Sequence, residues 1–131
     1  MKEVYKSTVF ILPIITKNLP KSFFILTAFN PMDELLERRK NVKNNFLLQS
    51  ELNQFTNHII PVIGCSPDFQ HKEESFIVKI SKEQTLKIAK RFRQRAVFFI
   101  YDNNLKILEC STQSNFPLGK FSDRVITKPV A

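Results

Sequence analysis

Six residues in this chain have side chains suited to holding a ligand: Asn30, Asn41, Asn44, Glu74, Ser75 and Gln94. Carboxamides present donors and acceptors side by side, so several of them together can orient a polar molecule. Asn41 and Asn44 stand three apart, with Asn45 next to them, and on a helix that spacing puts the pair on one face. Glu74 is the one carboxylate of the set. Asn and Gln are poor bases, so a hydrolase or transferase built here would rest on Glu74, with a histidine or cysteine as partner. The same residue types also cap helices and close turns, which is their commoner work.

A second constellation is basic. Lys87, Lys90, Arg91, Arg93 and Arg95 crowd one segment, with Lys82 before them and Glu83 as the local acid. Such a stripe neutralises phosphates, and binding through it weakens with salt. An amphipathic helix shows the same stripe simply as its solvated face. Single-strand RNA readers need aromatic rings on an open sheet, for which Phe24, Phe29 and Phe76 are candidates. The glycine–aromatic signature of that module is absent from the segment ESFIVKI.

A third group, Cys65, Asp68, His71, Glu73 and Glu74, has the elements of a metal site but no established ligand spacing, and it reads as an ordinary surface loop. No metal and no cofactor is expected. No catalytic triad stands out, and two glycines in the whole chain leave little for a phosphate-cradling loop.

Length and charge set the frame. The chain has 131 residues and a formal net charge of +8, with 13 Phe and no Trp. That is one domain, 1–131, with a core over about 4–110 and an irregular tail over 111–131. The positive excess attracts polyanions such as nucleic acid. Cys65 and Cys110 show no paired motif, which suits reduced thiols in a cytoplasmic protein. The apolar run Val9–Ile15 is broken by Pro13 and is too short for a membrane span, so no membrane association is expected.

The elements that must position these groups are read from periodicity. Val4–Ile15 holds a first strand centred on Thr8–Leu12, and Thr16–Lys21 a connection, so that Ser22–Phe29 follows as its hairpin partner and as a strand buried on both faces. Asn30-Pro31 stops that strand. A helix then spans about Asp33–Phe55, with Leu35, Val42, Phe46, Leu48, Leu52 and Phe55 as its apolar positions. His58–Ile63 is a strand, Gly64–Lys72 a loop, and Glu74–Ile80 a half-buried strand by its alternation. Ser81, with Gln84 at capping-box spacing, starts a helix to about Gln94. Ala96–Tyr101 and Leu105–Cys110 flank the turn Asp102–Asn104, and Arg124–Thr127 is one short extended piece. The order β-β-α-β-β-α-β-β predicts an α+β fold: a mainly antiparallel sheet with two helices on one face and a ferredoxin-like (split βαβ) middle.

The run Thr27–Pro31 (TAFNP) resembles the opening of the bacterial domain-of-unknown-function family three-two-nine-three. So do Asn41, Asn44 and Leu47 with Glu51-Leu52, Gly64 and Pro67, Glu73–Phe76, and Arg93–Ile100. The resemblance spans about Thr27–Ile100. It implies a small cytoplasmic bacterial protein and brings no established activity. Arg93 and Arg95 stand where the family pattern has Gly and Asn, and His71 where it commonly has Trp. From all this the expected function is that of a small binding or regulatory protein, more readily than an enzyme. It would recognise a polar or anionic ligand, with nucleic acid the natural large partner. The alternatives are the hydrolase or transferase on Glu74 and the Asn cluster, and a protein-interaction module.

Overall fold

Bulky apolar residues on alternate positions of most strands give this protein a sheet with two buried faces, and the sheet bends to close over one of them. The computed structural model describes residues 3–13 and 18–128. In order they form α1 (Glu3–Lys6), β1 (Val9–Pro13), β2 (Ser22–Leu26), a 3-10 turn (Pro31–Asp33), α2 (Arg38–Leu52), β3 (Ile59–Cys65), β4 (Lys72–Val78) and α3 (Lys82–Arg91). Then follow β5 (Ala96–Tyr101), β6 (Asn104–Glu109), β7 (Asn115–Lys120), a second 3-10 turn (Phe121–Arg124) and β8 (Val125–Lys128). Among the described residues no helix is long and apolar enough to cross a membrane.

The strands make one eight-stranded sheet in the order β7-β6-β5-β2-β4-β3-β1-β8. All neighbours pair antiparallel except β1 with β8, which is parallel. The outer face packs Phe24, Leu26, Phe76, Val78 and Val97 against Leu48 and Leu52 of α2 and Leu86, Ile88 and Ala89 of α3. The inner face gathers Phe10, Leu12, Phe23, Ile25, Val62, Ile77, Ile100 and Leu105 with Phe121.

The inner cluster requires curvature. Three strands separate β1 from β5, which in a flat sheet would set them ~19 Å apart. Yet the rings of Phe10 and Phe98 meet edge to face with centroids 5.0 Å apart. Phe121, just beyond β7 at one edge, also reaches Phe10, at 5.4 Å. The second 3-10 turn then carries the chain from edge strand β7 to edge strand β8. Arg124 fastens that crossing: its guanidinium donates to the carbonyls of Lys6 at 2.6 Å, Thr8 at 3.2 Å and Leu118 at 3.1 Å. The result is a half-barrel.

This corrects the ferredoxin-like α+β expectation. The sheet is larger, mixed and curled into a half-barrel, and strands dominate over the two substantial helices. The central strands do lie as β5-β2-β4-β3 with antiparallel pairing, but further strands extend them on both sides. β1 is not the hairpin partner of β2; it pairs with β3 and β8. The stretch read as an irregular tail carries the unforeseen β7, while the short extended piece expected at Arg124–Thr127 is β8. Edge strands such as these have weak periodicity, because one flank is open and the pairing partner is remote in sequence. The end of the first expected strand, 14–15, and the start of the connection, 16–17, lie outside the described residues.

The short elements follow their local chemistry. Ser81 caps α3, its hydroxyl accepting from the Gln84 amide at 3.1 Å. α3 stops at Arg91 because Arg93 takes a positive φ of 55°. Asp102 and Asn103, with φ of 48° and 66°, make the two-residue turn between β5 and β6 that matches strand twist.

Phe10 is fully buried and joins β1 to the far side of the sheet. Phe10→Ala is expected to lower stability by about 3–5 kcal/mol in urea unfolding; a loss under ~1 kcal/mol would mean the sheet does not curl as described.

Candidate functional site

The site begins where β2 ends. The β2–β4 register pairs Leu26 with Phe76, and one further step of the same face would set Ala28 opposite Glu74. The ladder stops short of that pair. The Asn45 carboxamide of α2 occupies the gap: Oδ1 accepts from the Ala28 amide and Nδ2 donates to the Glu74 carbonyl, both at 2.9 Å. A side chain thus does the work of a peptide group and wedges β2 away from β4. Thr27 helps, donating its hydroxyl to the same Glu74 carbonyl at 2.6 Å.

One turn earlier on α2, Asn41 repeats the device. Its Oδ1 accepts from the Asn30 amide at 2.9 Å, and its Nδ2 donates to Asn30 Oδ1 at 2.9 Å. Asn30 Oδ1 also accepts from the Leu36 amide at 3.0 Å. The diverted chain runs through left-handed backbone at Asn30, Met32 and Asp33, with φ of 46°, 49° and 63°. Such conformations cost of order 1–3 kcal/mol in non-glycine residues and persist only where surroundings hold them. Here the hold includes the Met32 amide on the Arg93 carbonyl at 2.7 Å. α2 therefore starts at Arg38, five residues later than the sequence suggested.

The wedge and the diverted loop frame a cleft of about 560 Å³ at one end of the half-barrel's inner face. Its floor is apolar, from Ile25, Phe98 and Ile107. It is open because the inner-facing positions there are small: Gly64, Ser75 and Ala96. At the other end of the same face Phe23, Ile100, Leu105 and Phe121 fill the space. The rim carries Tyr5, Asn30, Asp33 and Glu73.

Glu73 is the chemically distinctive group. Strand alternation turns it inward with Ser75 and Ile77, while Glu74 turns outward and meets Arg38 at 2.5 Å. Asn30 Nδ2 donates to Glu73 Oε2 at 3.0 Å. Among the described residues no ion pair engages Glu73, and its Oε1 accepts no hydrogen bond. Burial raises its pKa above the usual glutamate range; the hydrogen bond from Asn30 opposes this and the Asp33 charge adds to it. An ionised Glu73 therefore costs stability, and the contribution present below the ordinary glutamate range is lost as pH rises through the raised value. Beside it Asp33 accepts from Arg95 at 2.5 Å and from the Tyr5 hydroxyl. Burial, and then the bond to Asp33, push the Tyr5 phenol up.

Of the six ligand-type residues singled out in the sequence, Asn30, Ser75 and Gln94 line this cleft, and from the metal-type group Cys65, His71 and Glu73 do. Gln94 donates to the carbonyls of Phe29 at 3.1 Å and Phe92 at 3.3 Å, so it braces the diverted chain. Asn41 and Glu74 do not line it. Asn44 is half-buried, and the buried neighbour that bonds the β2 end is Asn45. Glu74 instead shares a second cleft of about 570 Å³ with Asn45 and Ser75, apart from Asn30 and Asn41. In the sequence Glu73 stands out only with the metal-type loop and in the family motif; its place in the cleft was missed, and the signal for it was the period-two pattern of β4, in which a one-residue shift exchanges the faces. Lys87, Lys90, Arg91, Arg93 and Arg95 are all exposed; Arg91 pairs with Glu51 and Arg95 with Asp33.

No group of three His, Cys, Asp or Glu among the described residues is placed to hold a metal ion. The loop 66–71 is knit by its own bonds, Ser66 to Asp68 at 2.6 Å and the Gln70 amide to Asp68 at 3.0 Å. Ser66's bond, then Gln70's, holds the Asp68 carboxyl below its usual range. Cys65 and Cys110 are buried thiols, and burial pushes Cys110 up to about 11, far from a reactive thiolate.

A family model described as "Protein of unknown function (DUF3293)" matches residues 26–97, more than half of the chain. The match runs from the end of β2 into β5, and so includes Asn30, Asn41, Asn45, Glu73 and Gln94. No curated protein and no solved structure matches the chain.

Asn45→Ala leaves the Ala28 amide and the Glu74 carbonyl without this partner. The expected loss is about 1–3 kcal/mol in chemical unfolding, against less than ~0.5 kcal/mol for Asn44→Ala. Equal losses would remove the wedge.

Proposed function

The chain belongs to the DUF3293 family, and we propose that it is a binding protein that takes a small polar organic ligand into the cleft at the end of the half-barrel. The observation that carries this reading is the cleft's construction: an apolar floor, small residues that keep it open, and a rim where Glu73 presents a carboxylate oxygen that no described protein donor engages. Its volume falls in the range of sites that enclose small organic molecules, about 300–1,000 Å³. Strain held in the loop of Asn30, Met32 and Asp33 supports the same reading, since such backbone gathers at ligand sites. Two buried thiols without a bridge suit a reducing compartment, which favours the cytoplasm.

The test is a fragment panel of amines, alcohols, carboxylic acids and nucleosides, followed by amide chemical-shift changes. Hits are expected to move Thr27, Gly64, Glu73 and Ser75 together. A Cβ at Gly64 meets Thr8 Cγ2 at 3.7 Å and Ser75 Oγ at 3.9 Å, ordinary contacts, so a side chain there points into the cleft without disrupting the strand. Gly64→Val and Ala96→Leu are expected to fold, and to weaken any hit at least about ten-fold, a loss of ~1.4 kcal/mol. Hits that are indifferent to both substitutions, or that cluster elsewhere, would overturn the reading.

Nucleic acid is a second reading, favoured by one observation: Lys87, Lys90 and Arg93 are exposed and make no ion pair among the described residues. Fluorescence anisotropy of a labelled single-stranded oligonucleotide is expected to show binding that weakens at least about ten-fold between roughly 50 and 200 mM salt. Lys87→Glu with Lys90→Glu should abolish it, whereas Arg91→Ala should matter less, because Arg91 already engages Glu51. Absence of binding at the lower salt would remove this reading.

A further inference from the structure

The chemistry of the cleft goes further and names a ligand class; this rests on the small-ligand reading above. We infer that the cleft is built for an organic cation: a protonated amine that donates to Glu73, carried on an apolar body that lies over Ile25, Phe98 and Ile107.

The reasoning is one of complementarity. The chain has 20 Lys and Arg against 12 Asp and Glu, so cations are plentiful. Three arginines are already assigned, Arg38 to Glu74, Arg95 to Asp33 and Arg91 to Glu51; Lys72 and His71 also line the cleft, but Lys72 is exposed and among the described residues neither pairs with Glu73. Glu73 is half-buried, yet among the described residues it is held by a neutral amide and by no cation. A half-buried carboxylate is normally neutralised by a paired charge, or it takes up a proton. Here Oε2 is fixed by Asn30 and Oε1 is left without a described donor. An ammonium offers several donors and the missing charge at once, and a charge-assisted bond is roughly twice as strong as a neutral one.

The neighbours favour the same sign. Asp33 adds negative charge near Glu73, and its own partners, Arg95 and Tyr5, keep it in place on the rim. An anionic ligand would meet Glu73 and Asp33 together. A neutral alcohol would find an acceptor but supply no charge. The floor supplies what an ammonium alone cannot use, since Phe98, Ile25 and Ile107 are apolar and lie beside the carboxylate in one cleft. A small inorganic cation would leave that floor uncovered.

Three probes of nearly one shape separate the possibilities: 2-phenylethylamine, 2-phenylethanol and phenylacetate, measured near neutral pH by calorimetry and by amide shifts on the whole chain. The amine is expected to bind at least about ten-fold more tightly than the alcohol, with phenylacetate weakest, and with shifts at Thr27, Gly64, Glu73 and Ser75. Glu73→Gln keeps the shape and the hydrogen bond from Asn30, and it should bring the amine level with the alcohol. The alcohol or the acid binding in the cleft as tightly as the amine would overturn the cation class while leaving a small-ligand cleft standing. An amine advantage that survives Glu73→Gln would overturn it too. No shift at the cleft from any of the three would also reject it, and if the wider fragment panel is equally silent there, the small-ligand reading falls as well.

Discussion

Asn45 stands where a strand partner would stand. Its carboxamide spans Ala28 and Glu74, two backbone positions that an uninterrupted ladder would place opposite each other. Buried backbone groups must be paired, so a strand that leaves its sheet early needs substitutes. Asn45 and Asn41, one turn apart on α2, are those substitutes. They fix the angle at which the chain departs, the left-handed loop through Asp33, and the Asn30 carboxamide that reaches Glu73. The cleft exists because β2 is held off β4 and because Gly64, Ser75 and Ala96 leave the inner face unfilled at that end. Helix, loop and cleft are in this sense one hydrogen-bonded unit.

Much of this was legible in the residues, and the failures have physical causes. Apolar runs marked β1 to β6 near their true positions, the short extended piece at Arg124–Thr127 marked β8, and Ser81 marked the start of α3. α2 misled. Its buried positions are Asn41, Asn45, Leu48 and Leu52, a proper helical stripe, but half of it is amide. A search for apolar periodicity therefore finds Val42 and Phe46, which are in fact 41% and 68% exposed. Polar residues chosen to satisfy a strand end look, in sequence, like the solvent face. The Asn cluster was noticed, but its role is to brace the backbone beside the site.

Glu74 and Glu73 illustrate a second limit. Adjacent carboxylates in a strand face opposite ways, and sequence alone does not say which face is the inner one. The answer depends on the curl of the sheet, which is set by contacts such as Phe10 with Phe98 and by Arg124 at the crossing between the edges. Those contacts join residues far apart in the chain, and β8 in particular owes its place to β1, at the opposite end of the sequence. The ferredoxin-like reading stopped at the central strands because only their order was visible locally.

Glu73 is where fold and proposed function meet: a carboxylate sheltered by the curl, held by the wedge through Asn30, and facing an apolar floor. The most direct measurement is a carbon-detected NMR titration of the Glu73 side-chain carboxyl, in the native chain and in Asn30→Ala. In the native chain the midpoint should lie above the ordinary glutamate range, as burial dictates, and it should rise further when the hydrogen bond from Asn30 is removed. A midpoint in the ordinary range in both proteins would mean that Glu73 is an exposed rim carboxylate, and would contradict the cleft described above.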